Sequence, residues 1–520
     1  MANKTLFRTI AGKFIPATNT LNKEGAPAYA LTPRHKLAQL AATGTLSWTF
    51  YAEAKDKLAD VLAAAREVDA AFIAKTAIFA RDHGFMKDMP ALLTAHLSTL
   101  EGAEFSAAFN RVVDNGRMLR NFVQIMRSGA VGRKSLGPRP KRLVQRWLET
   151  ASDIEIMRAS VGQDPSLADV IKMVHPKPKN ASREALYGYL IGKPYDVAAL
   201  PEIAKVFEAF KEDATAPLPD VPFQMLTALP LTGAHWAVIG RKAGWHMLRM
   251  NLNTFARHKA FEVEGFAQHV AERLADADAI QKAKVFPYQL MAAYAMAGKD
   301  VPEPVREALQ DAMEIAIANV TKVAGRVVIC PDVSGSMASP VTGHRKGATS
   351  AVRCIDVAAL VAVAFLRANR DARVLPFEQA VVDVRLNPRD TVMTNAKKLA
   401  SIGEGGTNCS APLESLAKER AAVDLVVFVS DNQSWVDAKS GHQGTAMMQA
   451  WEKVKSRNAQ AKLVCIDIQP LGSSQVVERA DILNIGGFSD AVFDIIAALA
   501  KGDLGPDHWV GEIEKIELAT

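Results

Sequence analysis

The sequence predicts two architectures in one chain, a long all-helical region followed by an α/β domain with a mostly parallel sheet. Three observations predict this. From about residue 30 to 322, apolar residues recur every three to four positions and β-branched alternating runs are nearly absent. Near residue 325 the pattern switches to short β-rich runs alternating with helical segments. Finally, 520 residues exceed what one hydrophobic core serves, so two or more domains are expected.

In chain order, residues 1–28 read as an irregular N-terminal segment and 29–325 as the helical domain. Helical spacing is plain at Leu37 to Ala42, Leu58 to Ala65 and Ala292 to Ala297. Breaks fall at Gly84, Gly129, Gly137-Pro138, Pro176–Pro178, Pro217–Pro222 and Pro302–Pro304. About a dozen short helices in succession predict an α-solenoid of helix pairs, without a clean repeat period. Residues 326–520 form the α/β domain, with strands expected at 326–331, 373–377, 381–385, 424–430 and 462–468. Helices are expected between and after them at 355–369, 391–401, 411–421, 444–457 and 490–500.

Composition narrows the class. A hydrophobic fraction of 49% with 23% charged residues describes a globular protein. No stretch approaches 18 uninterrupted apolar residues, so no membrane span is expected. Met1 to Pro16 lacks a long apolar run, so no export signal is read, and a reduced, cytoplasmic protein is expected. Cys330, Cys354, Cys409 and Cys465 have no Cys-x-x-Cys spacing, which argues against a zinc knuckle. The net charge of +6 is uneven: residues 326–520 carry 21 Lys and Arg against 23 Asp and Glu, leaving 41 against 33 in residues 1–325. The basic excess therefore lies in the helical region and points, weakly, to a polyanionic partner there.

The α/β domain carries a metal-ligand pattern. Asp332, Ser334 and Ser336 form an Asp-x-Ser-x-Ser turn directly after the first strand. Thr407 follows two glycines some 70 residues later, and Asp431 ends the run Asp424 to Ser430. Open parallel sheets bind ligands at the carboxyl ends of their strands, where Asp332 and Asp431 fall. A hard divalent cation takes oxygen donors, and Mg²⁺ keeps several of six positions for water. Three hydroxyls, with two carboxylates acting partly through water, would leave the ion able to take an outside acidic ligand. The plain reading of the turn alone is an Asx or Ser cap. Cys409 is a reactive thiol or, more simply, a small buried residue, with His442 a conceivable base. The polar, basic segment 341–350 contacts a partner or is simply solvated. The turn, the threonine and the strand-end aspartate resemble the metal-ion-dependent adhesion site of von Willebrand factor A domains, which implies Mg²⁺ and ligand capture rather than chemistry.

Three basic clusters occupy the helical region. Arg133 and Lys134, with Arg139, Lys141 and Arg142, flank a Gly-Pro loop; Lys172, His175, Lys177 and Lys179 surround two prolines. Arg241, Lys242, His246, Arg249, Asn251, Asn253, Arg257 and His258 follow a helix and its end. Lys and Arg hold phosphates, Asn and His read base edges, and Trp236, Trp245 and Tyr187 offer stacking surfaces. The competing reading is a solvated helix face, with the tryptophans in the core.

Several segments in this order resemble the Ro (TROVE-domain) RNA-binding proteins, specifically the bacterial members, over about residues 28–500. They are Leu40 to Tyr51, Asp169 to Pro178, Leu229 to Thr232, Met250 to Asn253, Ala283 to Tyr288 and the three metal-site segments. The resemblance implies HEAT-type repeats closing into a ring, joined at its ends by the A domain. It implies single-stranded 3′ ends of misfolded RNA in the ring cavity and Y-like small RNA on the basic outer surface. It further implies tethering to polynucleotide phosphorylase and a role in RNA quality control, with no catalytic residues; a ring closed from one chain would need no partner, so a monomer is expected. His175 and its Pro-Lys neighbours match a Y RNA contact of the family; Arg158 falls near another, whereas Gly162 stands where a basic contact is expected. The alternatives are a metal-dependent protein-interaction scaffold without RNA and, less favoured, a metal-dependent hydrolase. Such a hydrolase would want the paired carboxylates of two-metal sites.

Overall fold

The computed structural model describes residues 15–42, 53–283, 285, 287–317, 320, 322–341, 352–403, 405–436, 444–487, 491–503 and 507–518. Two compact units result. One comprises Met1–Ala64, Phe286–Ala292 and Met313–Lys515; the other comprises Ala65–Val285, Ala293–Ala312 and Ile516–Thr520. The helical and parallel-sheet fold classes are both present, but the contact boundary does not follow the expected domain limits, because the N-terminal segment packs with the α/β unit.

Among the described residues the α/β unit has eight strands: β1 (Thr20–Leu21), β2 (Pro27–Ala30), β3 (Val327–Pro331), β4 (Arg373–Val374), β5 (Leu425–Ser430), β6 (Lys462–Asp467), β7 (Ser473–Ser474) and β8 (Ile482–Gly486). Five make a parallel sheet in the order β4-β3-β5-β6-β8. β3, β5 and β8 are buried throughout, as expected of strands covered on both faces, which read as continuous Val/Ile/Leu runs. The helix Cys354–Ala368 is buried along almost its whole length. Register aligns Pro331 with Val429 and Ser430 with Asp467, so these strands end at one edge.

Residues 381–385 form no strand; Val381 makes a single bridge to Phe377 beside Pro376, which has no amide to donate. β8 was not expected, because Asn484 and Gly486 interrupt its apolar run. Nor were β1 and β2 expected in a stretch that reads as irregular. β2 pairs antiparallel with β7, Tyr29 opposite Ser474, so its partner lies over 400 residues away in sequence. The helix α1 (Pro33–Ala41) follows and covers β8. Gly486 allows this approach, since a Cβ there would meet the Gln39 carbonyl oxygen at 2.2 Å.

The helical unit begins with Ala70–Asp82, which packs on Asp88–Leu97 and Glu104–Val112, and continues in short helices that pack on near neighbours in sequence. Side-chain caps start several helices: Asp69 on the Phe72 amide, and reciprocal boxes at Ser152/Glu155 and Ser166/Asp169. Arg183, in the helix Ala181–Ile191, is fully buried. It donates to the Leu148 and Ala151 carbonyls at 2.6 and 2.5 Å and to Asp153 at 2.9 Å. Arg183→Met is therefore expected to strand the Ala151 carbonyl and a half-buried carboxylate, while the Leu148 carbonyl keeps the Tyr187 hydroxyl, a loss of about 3 kcal/mol. Hydrogen exchange would report it as faster exchange in the helices Pro138–Thr150 and Ala181–Ile191; unchanged protection there would contradict the assignment.

Candidate metal centre and basic surface

The edge formed by β3 and β5 gathers the five expected ligands. Asp332 follows β3, with its Oδ1 accepting the Ser334 amide at 2.8 Å and its Oδ2 accepting the Ser430 hydroxyl at 2.5 Å. Those two bonds fix the carboxylate plane and turn the chain so that Ser334 and Ser336 face the same side, hydroxyls 3.3 Å apart. The Gly335 amide donates to the Gly405 carbonyl at 2.9 Å, which brings in the loop bearing Thr407; its hydroxyl donates to Ser334 Oγ at 2.9 Å. Asp431 accepts from the Ser336 hydroxyl. All five residues are buried, from 0% exposure at Asp332 to 9% at Ser336.

The donor set fits a hard divalent cation. Two carboxylates are buried side by side, and among the described residues no lysine or arginine forms an ion pair with either. Burial pushes both carboxyls up, Asp431 to about 7 with the Asp332 charge adding to the effect. Such a pair calls for a positive charge. The oxygen-only donors would suit Mg²⁺ or Mn²⁺ rather than zinc, and among the described residues no three His, Cys, Asp or Glu are placed to ligate one ion by themselves.

The surroundings hold features that sequence reasoning missed. Trp435 is 43% exposed, its amide donating to the Thr407 carbonyl at 3.3 Å. Its ring lies over Gly406, where a Cβ would stand 2.5 Å from the indole nitrogen. The N-terminal segment braces the same loop: Asn22 donates to the Ser434 carbonyl at 2.5 Å, and the Lys23 amide to Gln433 Oε1 at 2.9 Å. A tryptophan three positions beyond Asn432 was the available signal for the first feature; nothing local announces the second. Cys409 is buried with its thiol pushed well up by burial, so it is the small core residue of the two readings. His442 and residues 342–350 lie outside the described residues.

The basic residues separate into two groups. Arg133, Lys134, Arg142, Arg158, Lys172, His175, Lys177, Lys179 and Arg257 are exposed. The helix Pro138–Thr150 is tied to the 174–177 segment by Gln145 donating to the Val174 carbonyl at 2.6 Å and by the Lys177 amide donating to Glu149 at 3.1 Å. Arg142, Lys172, His175 and Lys177 thus share one region. His175 holds a left-handed conformation at φ 52°, which ends its helix and projects the ring from the cap. Lys141 is half-buried.

The remaining residues have structural partners. Arg139 donates to the Leu100 and Gly102 carbonyls and lies over the Phe105 ring. Asn253 clamps the Met296 carbonyl and the Gly298 amide, both at 2.8 Å, and Asn251 bonds the Met247 carbonyl. Arg249 lies beside Trp245, and Arg158 faces Asp220 at 3.5 Å. Trp236, Trp245 and Tyr187 are core residues, since Trp236 stacks on His258 and the other two donate to the Leu274 and Leu148 carbonyls. They offer no stacking surface.

Comparison with known proteins agrees with this architecture. Residues 326–500 match the family model for the Ro60 vWA domain. The chain is 28% identical to the RNA-binding protein RO60 of Deinococcus radiodurans, across 96% of this chain and 100% of that protein. The crystal structure of the Deinococcus radiodurans RO (RSR) protein superposes with a TM-score of 0.63 at 22% identity, covering 91% of this chain and 100% of that one. Residues 326–500 are thus similar to a Ro60 vWA domain, the chain is similar along its length to an RNA-binding protein RO60, and its fold is shared with the RO (RSR) protein.

Proposed function

We propose that the chain is a non-catalytic, cytoplasmic, monomeric RNA-binding scaffold acting in RNA quality control. Y-like small RNA docks on the basic surface around Arg142, Lys172, His175 and Lys177. Single-stranded 3′ ends of misfolded RNA enter a cavity of the helical ring, and the Y-like RNA tethers polynucleotide phosphorylase. The observation that carries this reading is the likeness to an RNA-binding protein over 96% of the chain. The exposed basic residues support it, because phosphate contacts need flexible cations that are not already committed to carbonyls.

Asp332, Ser334, Ser336, Thr407 and Asp431 hold a divalent cation, Mg²⁺ in the cell, whose open positions accept an acidic group from a partner. Trp435 at the rim supports ligand capture at this site. Crosslinking in cells followed by sequencing of the recovered RNA tests the proposal. One dominant small structured RNA together with scattered RNA 3′ ends is the expected result. Background recovery would reject RNA as the partner and favour metal-dependent capture of an acidic protein.

A further inference from the structure

The strand-end edge holds a third buried carboxylate that the five-ligand set does not use. Asp467 ends β6, in register with Ser430, the residue that bonds Asp332 and precedes Asp431. It is 1% exposed, and no hydrogen bond of standard geometry reaches either of its carboxylate oxygens among the described residues. Burial and then the Asp431 charge push its carboxyl well up, against the opposing effects of the Gln469 and Leu471 amides and of Lys57. Lys57, on the helix α2 (Ala54–Arg66), is the basic side chain facing this group, and it is itself only 5% exposed. Its ammonium is drawn down to about 8 by burial, while Asp467 and the Cys354 thiol oppose the shift.

The buried Cys354 thiol, bonded to Ser339, feels the charges of all three aspartates. It is raised to about 12, first by burial and, after the opposing Ser339 hydrogen bond, by the charges of Asp431, Asp467 and Asp332 together. Glu24 adds a weaker charge from an exposed position. Ionised together, the three buried aspartates would carry three negative charges, a state that burial disfavours without counterions, and Lys57 offsets one. A divalent cation offsets the other two, and the buried edge is then neutral, as burial in low dielectric demands.

We propose that Asp467 and Lys57 tune the cation site, Asp467 as a third carboxylate that attracts the ion through its water shell and Lys57 as a fixed internal cation that limits its affinity. This rests on the reading that Asp332 and Asp431 hold a divalent cation. Both are positioning residues, acting through charge on an ion they do not touch. Opposite signs follow. Asp467→Asn removes attraction and is expected to weaken Mn²⁺ binding by about tenfold; Lys57→Met removes repulsion and is expected to tighten it by a similar factor, the field of one charge at low dielectric being worth at least that. A residue that merely packs would loosen the ion in both variants.

The experiment is calorimetric titration of the full-length protein with Mn²⁺, comparing wild type, each single variant and the pair. Weaker binding in Asp467→Asn, tighter binding in Lys57→Met and near-wild-type affinity in the double variant support the proposal. Unchanged affinity in both single variants, or loss in both, overturns it while leaving the cation reading intact. Absence of Mn²⁺ binding in wild type overturns the cation reading and this proposal with it. Should Asp467→Asn fail to fold, Lys57→Met decides alone: only tighter binding sustains the proposal.

Discussion

Reversing the charge of Arg142, Lys172 and Lys177 together is expected to lower affinity for a small structured RNA by roughly a hundredfold near 0.15 M salt. The logarithmic salt dependence should become shallower by about 2 to 3, because each lost phosphate contact removes a slope of roughly 0.7 to 0.9. These three are suited to the test because they are exposed, and the backbone bonds that join their two elements run through Gln145 and Glu149 instead. The fold should survive. Arg139, in the same sequence cluster, behaves differently: its guanidinium holds two loop carbonyls, so its substitution perturbs the helix start at Pro138 before it perturbs any ligand. Fluorescence anisotropy across a KCl series separates the cases. A triple variant with unchanged salt slope would move the RNA-binding surface elsewhere.

The second large effect concerns the metal centre. Saturating Mg²⁺, at a hundred times its dissociation constant, is expected to stabilise the α/β unit by about 2.7 kcal/mol. That corresponds to a rise in its melting temperature of roughly 5 to 10 °C for a unit of this size. Asp431→Asn should abolish the Mg²⁺-dependent rise. In the metal-free state it should not destabilise, because the amide replaces a carboxylate that burial already disfavours in its charged form. Thr407→Val should weaken the ion's hold less, since it removes a neutral donor and leaves both carboxylates in place. Differential scanning calorimetry with Mg²⁺ and with chelator reads all three. A rise that persists in Asp431→Asn would exclude Asp431 as a ligand.

What the sequence made legible was local. The parallel-sheet domain could be read because β3, β5 and β6 are short apolar runs, and the five residues proposed to hold the cation because each sits at a strand end or beside paired glycines. Features made by distant pairing were not legible. The two-residue strand β1 and the four-residue β2 carry no periodicity of their own, and their sheet depends on β7. Asp467 carries no local signal, because a lone aspartate ending an apolar run reads like any strand terminus; that no hydrogen bond of standard geometry reaches its carboxylate among the described residues appears only in three dimensions. Nothing local in sequence marks Lys57 as buried. Among the basic residues, sequence could not separate Arg142, which is free to face solvent, from Asn253, which clamps a neighbouring turn. Both are exposed polar residues near helix ends, and only their partners tell them apart.

The pairing of β2 with β7 sets a schedule for synthesis. Ala30 waits for Ser473, so on the ribosome roughly 20 to 90 seconds separate the emergence of the two partners at ordinary elongation rates. Throughout that interval Leu37 and Leu40 of α1 have no β8 to cover them. The helical unit, whose neighbours are mostly close in sequence, has time to fold in the meantime. The β2–α1 segment must therefore be kept from aggregating until β7 and β8 emerge, a period in which holdase chaperones would find an early and persistent client.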